Sequence, residues 1–388
     1  MLNFENTKIA FSSKSKYDLR KSRVLYHLVS HGWLVNLGKH VLNFLIAIRF
    51  PLRPFVKPTI FEVFCGGETI AECDHRIAKL DNYNIGSILD YSIEGSAEEE
   101  TLNNTSNKII ETIAKAEHTK AIPYAVFKVS GVASDRILER KSWHEQEMDA
   151  KEKSEWKRVE ERILKITKTG YDKNVPVFID AEDYAFQPAI DELAWSMMKL
   201  FNKKQVIVYN TIQAYRSDRY EFLEAMHKRA QQEKIHYGVK LVRGAYMEKE
   251  RERAEEKGYP SPIHENKDAT DQCFNDSLRY ILKHLDDFAL CNGTHNEAST
   301  YLLVELMEKY NIKKNDPRIV SAQLLGMSDH ISYNLAHEGY NVAKYVPFGP
   351  VREMMPYLIR RAQENSSAQG QTSRELRLID KELKARKK

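Results

Sequence analysis

Cysteine is scarce and long apolar runs are missing from this chain of 388 residues. The four cysteines form no CxxC pair, so neither a disulfide framework nor a zinc ribbon is indicated, and we expect a reducing compartment. The most apolar stretch, residues 41–48, is far shorter than the roughly 20 residues that a membrane-spanning helix needs. Hydrophobic residues make up 42% of the chain and charged residues 29%, which is typical of a globular protein.

Motifs of several common enzyme classes are missing as well. The chain has no GxxxxGK[ST] phosphate loop, no GxSxG nucleophile elbow and no HExxH zinc motif. Cys73 and His75 are metal-binding residue types, but we interpret their proximity as a chance pairing. We therefore predict no metal site.

Charge is nearly balanced overall but unevenly distributed. The chain has 59 basic and 55 acidic residues, and the resulting net charge of +4 is too small to indicate nucleic-acid binding. Residues 1–60 contain ten Lys or Arg against two acidic residues, a net charge of +8 that leaves −4 for the rest. Two compatible interpretations are a basic amphipathic segment lying on an anionic membrane surface and a helical arm packed on the main domain.

Beyond residue 80, short β-branched or aromatic runs alternate with helical segments. Eight β/α units over this length predict a (β/α)8 TIM barrel. A doubly wound open sheet would also alternate, but its usual GxGxxG fingerprint is missing. A charged stretch at residues 137–168 is expected to form one or two surface helices. The candidate strands are Ile85–Tyr91, Tyr124–Val129, Val175–Ala181, Val206–Thr211, Val239–Arg243, Phe288–Asn292, Ile319–Gln323 and Val342–Tyr345.

Polar residues lie at or just beyond the C-terminal ends of seven of the candidate strands, where a barrel carries its active site. A single polar residue at such a place usually makes a local hydrogen bond, but seven consecutive units with the same pattern indicate a functional face. The residues concerned include Lys128, Asp180, Gln213, Arg243, His295, Gln323 and Tyr345.

The last predicted helix of the barrel has two adjacent arginines, Arg360 and Arg361, with Glu364 one turn further on. These residues are compatible with a surface ion pair of little energetic value. The apolar residues at the start of the helix instead indicate that it is docked. Two neighbouring guanidinium groups can bind a carboxylate and a nearby Glu can hold an amine, so the helix suits an amino-acid substrate.

Taken together, these motifs resemble the proline dehydrogenase family, in its single-function, mitochondrial-type branch. The resemblance covers roughly residues 61–370 and implies a distorted (β/α)8 barrel that binds FAD without a Rossmann domain. It leaves residues 1–60 as a basic N-terminal helical arm and residues 371–388 as a basic C-terminal helix. The matching motifs are Asp180-Ala-Glu182, Gln213-Ala-Tyr215, Lys240-Leu-Val-Arg-Gly-Ala-Tyr246, Thr294-His-Asn296, Gln323-Leu-Leu-Gly-Met327, Tyr345-Val-Pro-Phe-Gly349 and Tyr357-Leu-Ile-Arg-Arg-Ala-Gln-Glu-Asn365.

The resemblance implies oxidation of L-proline to Δ1-pyrroline-5-carboxylate, the first step of proline catabolism to glutamate. Electrons would pass from the flavin to a membrane quinone, which implies peripheral membrane association. We expect a bacterial enzyme in the cytoplasm, on the inner face of the cytoplasmic membrane, or a protein of the mitochondrial inner membrane if the source is eukaryotic. The oligomeric state is not indicated.

The resemblance also implies roles for individual residues. Lys240 is a departure, because bifunctional relatives have Arg there and Lys lacks the planar fork. Met247 similarly replaces an aromatic residue. The implied catalytic residues are Asp180, Lys240 and Tyr345. The implied substrate-binding residues are Lys128, Tyr246, Arg360, Arg361 and Glu364. The implied cofactor-binding residues are Ala181, Gln213, Arg243, Gly244, Ala245, Thr294 and His295.

Two alternatives stay open. A related flavoenzyme that oxidises hydroxyproline is one, although the ring of Tyr345 would crowd a ring hydroxyl. A non-catalytic, membrane-associated barrel is the other, supported by the basic first 60 residues. The set of charged strand-end residues argues against the second, because a binding module has no need of it.

Overall fold

The computed structural model describes residues 2–33, 38, 48, 50–91, 97–367 and 371–387. The apolar stretch singled out at residues 41–48 lies outside these residues, apart from Ile48. Within the described part of the chain, every helix is too short or too polar to span a lipid bilayer.

Eight parallel strands form a closed barrel in chain order, which confirms the predicted fold class. Each predicted strand is present, with its ends within three residues of the expected positions. The strands are β1 (Ile85–Tyr91), β2 (Tyr124–Lys128), β3 (Val177–Asp180), β4 (Val208–Gln213), β5 (Tyr237–Val242), β6 (Phe288–Gly293), β7 (Ile319–Leu324) and β8 (Val342–Phe348).

Helices precede the barrel, connect its strands and follow it. The stretch predicted as one or two surface helices forms two, Asp135–Trp143 and Ala150–Asp172. The helices are α1 (Thr7–Ala10), α2 (Lys16–Val29), α3 (Arg53–Val56), α4 (Glu62–Phe64), α5 (Asp74–Asp81), α6 (Glu99–Glu117), α7 (Asp135–Trp143), α8 (Ala150–Asp172), α9 (Gln187–Phe201), α10 (Arg219–Glu233), α11 (Met247–Lys257), α12 (Lys267–Lys283), α13 (Glu297–Lys309), α14 (Asp329–His337), α15 (Met355–Ser367) and α16 (Gln371–Ala385).

Strand register determines which side chains point into the barrel. Asn210 donates to Asp191 on α9 at 2.8 Å, so Asn210 faces the surrounding helices. Its register partners Ile179 and Val239 face the same way. Because side chains alternate along a strand, the next residues, among them Asp180 and Lys240, face the barrel interior.

The chain divides into two compact units, residues 88–322 and residues 1–87 with 323–388. In the second unit, the N-terminal arm packs against the C-terminal helix α16. Phe11, Leu19 and Tyr26 are buried in one cluster with Leu378 and Ile379 of α16. Residues 2–29 are therefore anchored by apolar burial as well as being basic.

A buried ionic network adds to this anchoring. Asp329 contacts the ammonium groups of Lys14 at 2.8 Å and Lys344 at 2.9 Å. Burial disfavours the ionised carboxylate, but the two ammonium groups outweigh it and hold the pKa of Asp329 well below its usual value. Lys14 thus joins the arm to the residues that follow β7 and to β8.

Candidate active site

A buried ion pair lies inside the barrel, between the last residue of β3 and a residue two positions before the end of β5. The Lys240 ammonium group on β5 donates to Asp180 at the end of β3, over 2.6 Å. The side chains are 9% and 11% exposed. Both charges are needed, because either one alone would be costly to bury.

A third charged residue, Lys128, lies beside this pair. Lys128 ends β2 and is in register with Asp180 on the neighbouring strand, so their side chains share a face of the sheet. Three residues predicted for substrate binding or catalysis are therefore brought together at one end of the barrel.

Next to Asp180, a hydrogen-bond network holds the loop after β3. The Glu182 carboxylate accepts from the backbone N–H of Ser130 at 2.9 Å and from its hydroxyl. Gln213 donates through Nε2 to the Glu182 carbonyl at 2.7 Å. The other amide atom, Gln213 Oε1, is buried and has no hydrogen-bond partner among the residues described. Ala181 lies half-buried in this loop.

The guanidinium group of Arg243, the residue after β5, donates three hydrogen bonds. It donates to Asp271 at 2.7 Å, to the Thr294 hydroxyl at 2.8 Å and to the Ser299 hydroxyl at 2.8 Å. Its carbon lies 4.3 Å from the centroid of the Phe274 ring. Burial lowers the pKa of Arg243 although Asp271 opposes the shift, and the group stays charged.

Thr294 and His295 lead into helix α13. Thr294 is buried and His295 is half-buried. Asn296 caps the helix by accepting from the backbone N–H of Ser299 at 2.9 Å. The Asn296 N–H donates to the Thr294 hydroxyl at 3.1 Å, and the N–H groups of a helix start give the region a partial positive charge.

The loop after β5 exposes backbone at Gly244 and Ala245. Gly244 has φ +122°, and a Cβ there would lie 2.4 Å from the Tyr215 ring, so only glycine fits. Tyr246, half-buried, precedes helix α11. This loop can therefore approach a planar ligand closely through its main chain.

The remaining predicted residues belong to the unit that contains β8. Tyr345 is 5% exposed, Arg361 is 6% exposed and Arg360 is half-buried, so neither arginine is turned into bulk water. The Arg361 guanidinium carbon lies 5.2 Å from the Tyr357 ring centroid. Glu364 lies in α15, but its side chain is outside the described residues.

The sequence does not indicate the residues that hold the site in place. Asp271 and Ser299 lie 28 and 56 positions from Arg243, and Ser130 lies 52 positions from Glu182. No local pattern connects such distant positions. Covariation among homologues is the signal that would find them.

Comparison with known proteins identifies the family of this barrel. The sequence profile described as Proline dehydrogenase matches residues 73–374. Proline dehydrogenase 2, mitochondrial, of Arabidopsis thaliana is 31% identical, and the similarity covers 97% of this chain and 89% of that protein. The carbapenem antibiotics biosynthesis protein CarD of Pectobacterium carotovorum subsp. carotovorum is 33% identical, with 83% of each chain covered.

A solved structure shows the same fold. Proline utilization A (PutA) from Bdellovibrio bacteriovorus superimposes with a TM-score of 0.73 over 95% of this chain, at 20% identity. The present chain spans 40% of that protein. At this identity the likeness shows the barrel fold alone.

The enclosed Asp180–Lys240 pair predicts a large stability loss when one partner is removed. Asp180→Asn and Lys240→Met should each lower the free energy of unfolding by about 3–5 kcal/mol, because the remaining group is left buried and unpaired. The double variant should lose clearly less than the sum. Denaturant unfolding of the purified variants measures these losses.

Lys168→Met is the matched control, because its ion pair with Asp172 is 58% and 50% exposed. It should change stability far less than either buried variant. Strictly additive losses for Asp180→Asn and Lys240→Met would show that the two charges do not interact.

Proposed function

The chain belongs to the proline dehydrogenase family, and from this membership and the site geometry we propose that it oxidises L-proline to Δ1-pyrroline-5-carboxylate with bound FAD. The electrons then pass to a membrane quinone. The observation that carries the proposal is the buried Asp180–Lys240 pair beside Lys128, at strand ends of a barrel of this family. Such a concentration of charge serves a reaction better than it serves packing.

The residues present fit a flavin. Gln213 Oε1 is a buried acceptor with no hydrogen-bond partner among the described residues, which suits an N–H group of a ligand. The exposed backbone at Gly244 and Ala245 leaves room for a flat ring system. Gln213, Arg243, Gly244 and Ala245, with Ala181 in the loop after β3, would hold the flavin and its ribityl chain.

Thr294 and His295 would hold the distal part of FAD. The diphosphate of the cofactor is anionic, and the N–H groups at the start of α13 favour an anion nearby. Arg243 keeps two N–H groups beyond the three that it donates to Asp271, Thr294 and Ser299. When bound, the flavin supplies the redox chemistry by accepting hydride from the ring carbon C5 of proline.

The substrate carboxylate is bound by Arg360, Arg361 and Lys128 in this proposal. The burial of Arg361 strengthens its attraction for a carboxylate, because little water screens the charges. Stacking on Tyr357 restricts the orientation of its guanidinium plane. Glu364 would lie on the amine side, and Tyr246 would close the pocket.

Other residues of the proposed site would prepare the amine of proline for reaction. Tyr345, buried on β8, would pack against the proline ring and exclude water from C5. The amine must give up its proton to solvent before hydride can leave C5, and the cationic groups proposed to bind the carboxylate disfavour a further positive charge nearby. Asp180 holds the Lys240 ammonium group in place, which makes Asp180 part of the catalytic network.

Membrane association is proposed through helix α2. Tyr17, Val24 and Leu28 are 75%, 61% and 50% exposed and recur at helical spacing along one face. Arg20 is exposed on the same side. An exposed apolar stripe with a basic flank suits an anionic membrane surface, where a quinone dissolves.

Membrane association is compatible with two cellular locations, one for a bacterial source and one for a eukaryotic source. In a bacterium the protein would lie in the cytoplasm, on the inner face of the cytoplasmic membrane. The mitochondrial relative from Arabidopsis thaliana supports a mitochondrial location for a eukaryotic source, and the proposed quinone acceptor would place the protein on the inner membrane there.

Anaerobic addition of L-proline tests cofactor, substrate and reaction together. The purified protein should be yellow, and proline should bleach the flavin absorption. In contrast, trans-4-hydroxyproline should bleach it poorly, because the Tyr345 ring would crowd the ring hydroxyl. A colourless protein would support the non-catalytic barrel. Equal bleaching by both substrates would favour the hydroxyproline enzyme.

The variant Arg361→Met, studied in the same titration, tests whether Arg361 binds the substrate carboxylate. The proline concentration for half-maximal bleaching should rise by at least about tenfold, because a buried charge-assisted hydrogen bond is lost. Flavin content should be unchanged. Wild-type half-saturation in this variant would contradict the assignment.

Sedimentation with lipid vesicles tests the membrane surface. The protein should bind vesicles containing anionic lipid, and the double variant Val24→Glu/Leu28→Glu should bind them much less because it adds negative charge to the apolar stripe. Leu200→Glu, at a residue 51% exposed on α9, is the matched control and should bind normally. Equal binding by all three proteins would exclude α2 as the contact.

A further inference from the structure

Helix α11, which follows the proposed substrate residue Tyr246, has almost no apolar face. Nine of its eleven residues are charged. Its buried residues are Glu250, 1% exposed, and Ala254, 2% exposed. A helix this polar gains little from hydrophobic burial, so its position must depend on polar contacts.

Glu250 makes the central contact. Its Oε1 accepts from the backbone N–H of Tyr184 in the loop after β3. Its own backbone N–H donates to the Tyr246 carbonyl at 2.9 Å, which forms the first turn of α11. One residue therefore joins the turn that begins at Tyr246 to the loop that begins at Asp180.

The surroundings of Glu250 are polar and enclosed. Arg216 is 3% exposed and its guanidinium carbon lies 4.7 Å from the Tyr184 ring centroid. Lys249, the preceding residue of α11, pairs with Asp183 of the same loop at 2.6 Å, but the Lys249 side chain is 66% exposed, so this second contact is weakened by solvent. Burial raises the pKa of Glu250, so the carboxylate is held there at an energetic cost.

The other polar contacts that α11 makes are exposed to solvent and are weaker than the contact of Glu250. Arg251 donates to the His264 carbonyl at 2.8 Å, and Arg253 pairs with Glu139 at 2.6 Å. Both contacts are reached by solvent, and contacts of that kind contribute little. Glu250 is the charged residue of α11 that is fully enclosed.

We propose that Glu250 is a positioning residue that docks α11 on the loop after β3 and thereby holds Tyr246 over the substrate. The inference rests on the proposed function, which gives Tyr246 its place at the imino acid. Glu250 itself contacts neither substrate nor cofactor in this proposal. It acts on proline binding through Tyr246.

Steady-state kinetics of three variants test the role. Glu250→Ala should raise the KM for proline by on the order of tenfold, because a buried hydrogen bond to a charged group is lost. The kcat should change by less than about threefold, with flavin content unchanged. Glu250→Gln keeps the acceptor for Tyr184 and should restore a KM close to wild type. Glu252→Ala removes an exposed charge from the same helix and should have no effect.

A double variant shows whether Glu250 acts through Tyr246. Adding Glu250→Ala to Tyr246→Ala should raise the KM no further, because the side chain that Glu250 positions is already gone. A further rise equal to that of Glu250→Ala alone would overturn the proposal. If Glu250→Ala does not fold, Glu250→Asp replaces it, since the shorter carboxylate also loses contact with Tyr184.

Limited trypsin digestion gives a readout that does not depend on the substrate. Helix α11 contains four cleavage sites, Lys249, Arg251, Arg253 and Lys257. Glu250→Ala should be cleaved there faster than wild type, because undocking opens the helix, whereas Glu252→Ala should not. Cleavage at the wild-type rate would overturn the docking. A wild-type protein without proline activity would instead overturn the proposed function, and the digestion would still decide the role of Glu250.

Discussion

In the proposed reaction, the buried ion pair of Asp180 with Lys240 is the interaction on which the rest of the site depends. In the low-dielectric interior each charge is stable because the other lies 2.6 Å away. Strand register places Lys128 beside the pair, so a cluster of charge is fixed before any ligand arrives. Residues held in this way need little rearrangement when a ligand binds, which would favour the proposed catalysis.

Support for the site comes from contacts that are distant in sequence. Ser130 fixes Glu182, Asp271 and Ser299 fix Arg243, and the Tyr215 ring requires glycine at position 244. In the role proposed for Glu250, helix α11 follows the same rule, because one enclosed carboxylate rather than an apolar face would fix its position. Polar contacts of this kind set geometry more narrowly than apolar burial does, because hydrogen bonds are directional.

The strands could be predicted from the sequence because buried parallel strands are continuous apolar runs, as in Val177–Asp180. The strand-end residues could be predicted because a barrel collects them on one face, and the family resemblance is confirmed by the comparisons. The docking of Lys14 on Asp329 and the role proposed for Glu250 could not be predicted, since both depend on partners far along the chain. The individual roles of Arg360, Arg361 and Tyr345 stay predictions. Glu364 lies beyond the side chains that the structure describes.

In the proposed site, the charged residues that would orient proline by its carboxylate would also determine which carbon faces the flavin. The most direct measurement is the anaerobic rate of flavin bleaching with proline deuterated at C5 and with proline deuterated at the α-carbon. We predict slower bleaching for the C5-deuterated substrate and an unchanged rate for the other, because the C5–H bond breaks. Slower bleaching with the α-deuterated substrate alone would contradict the proposed orientation and reaction.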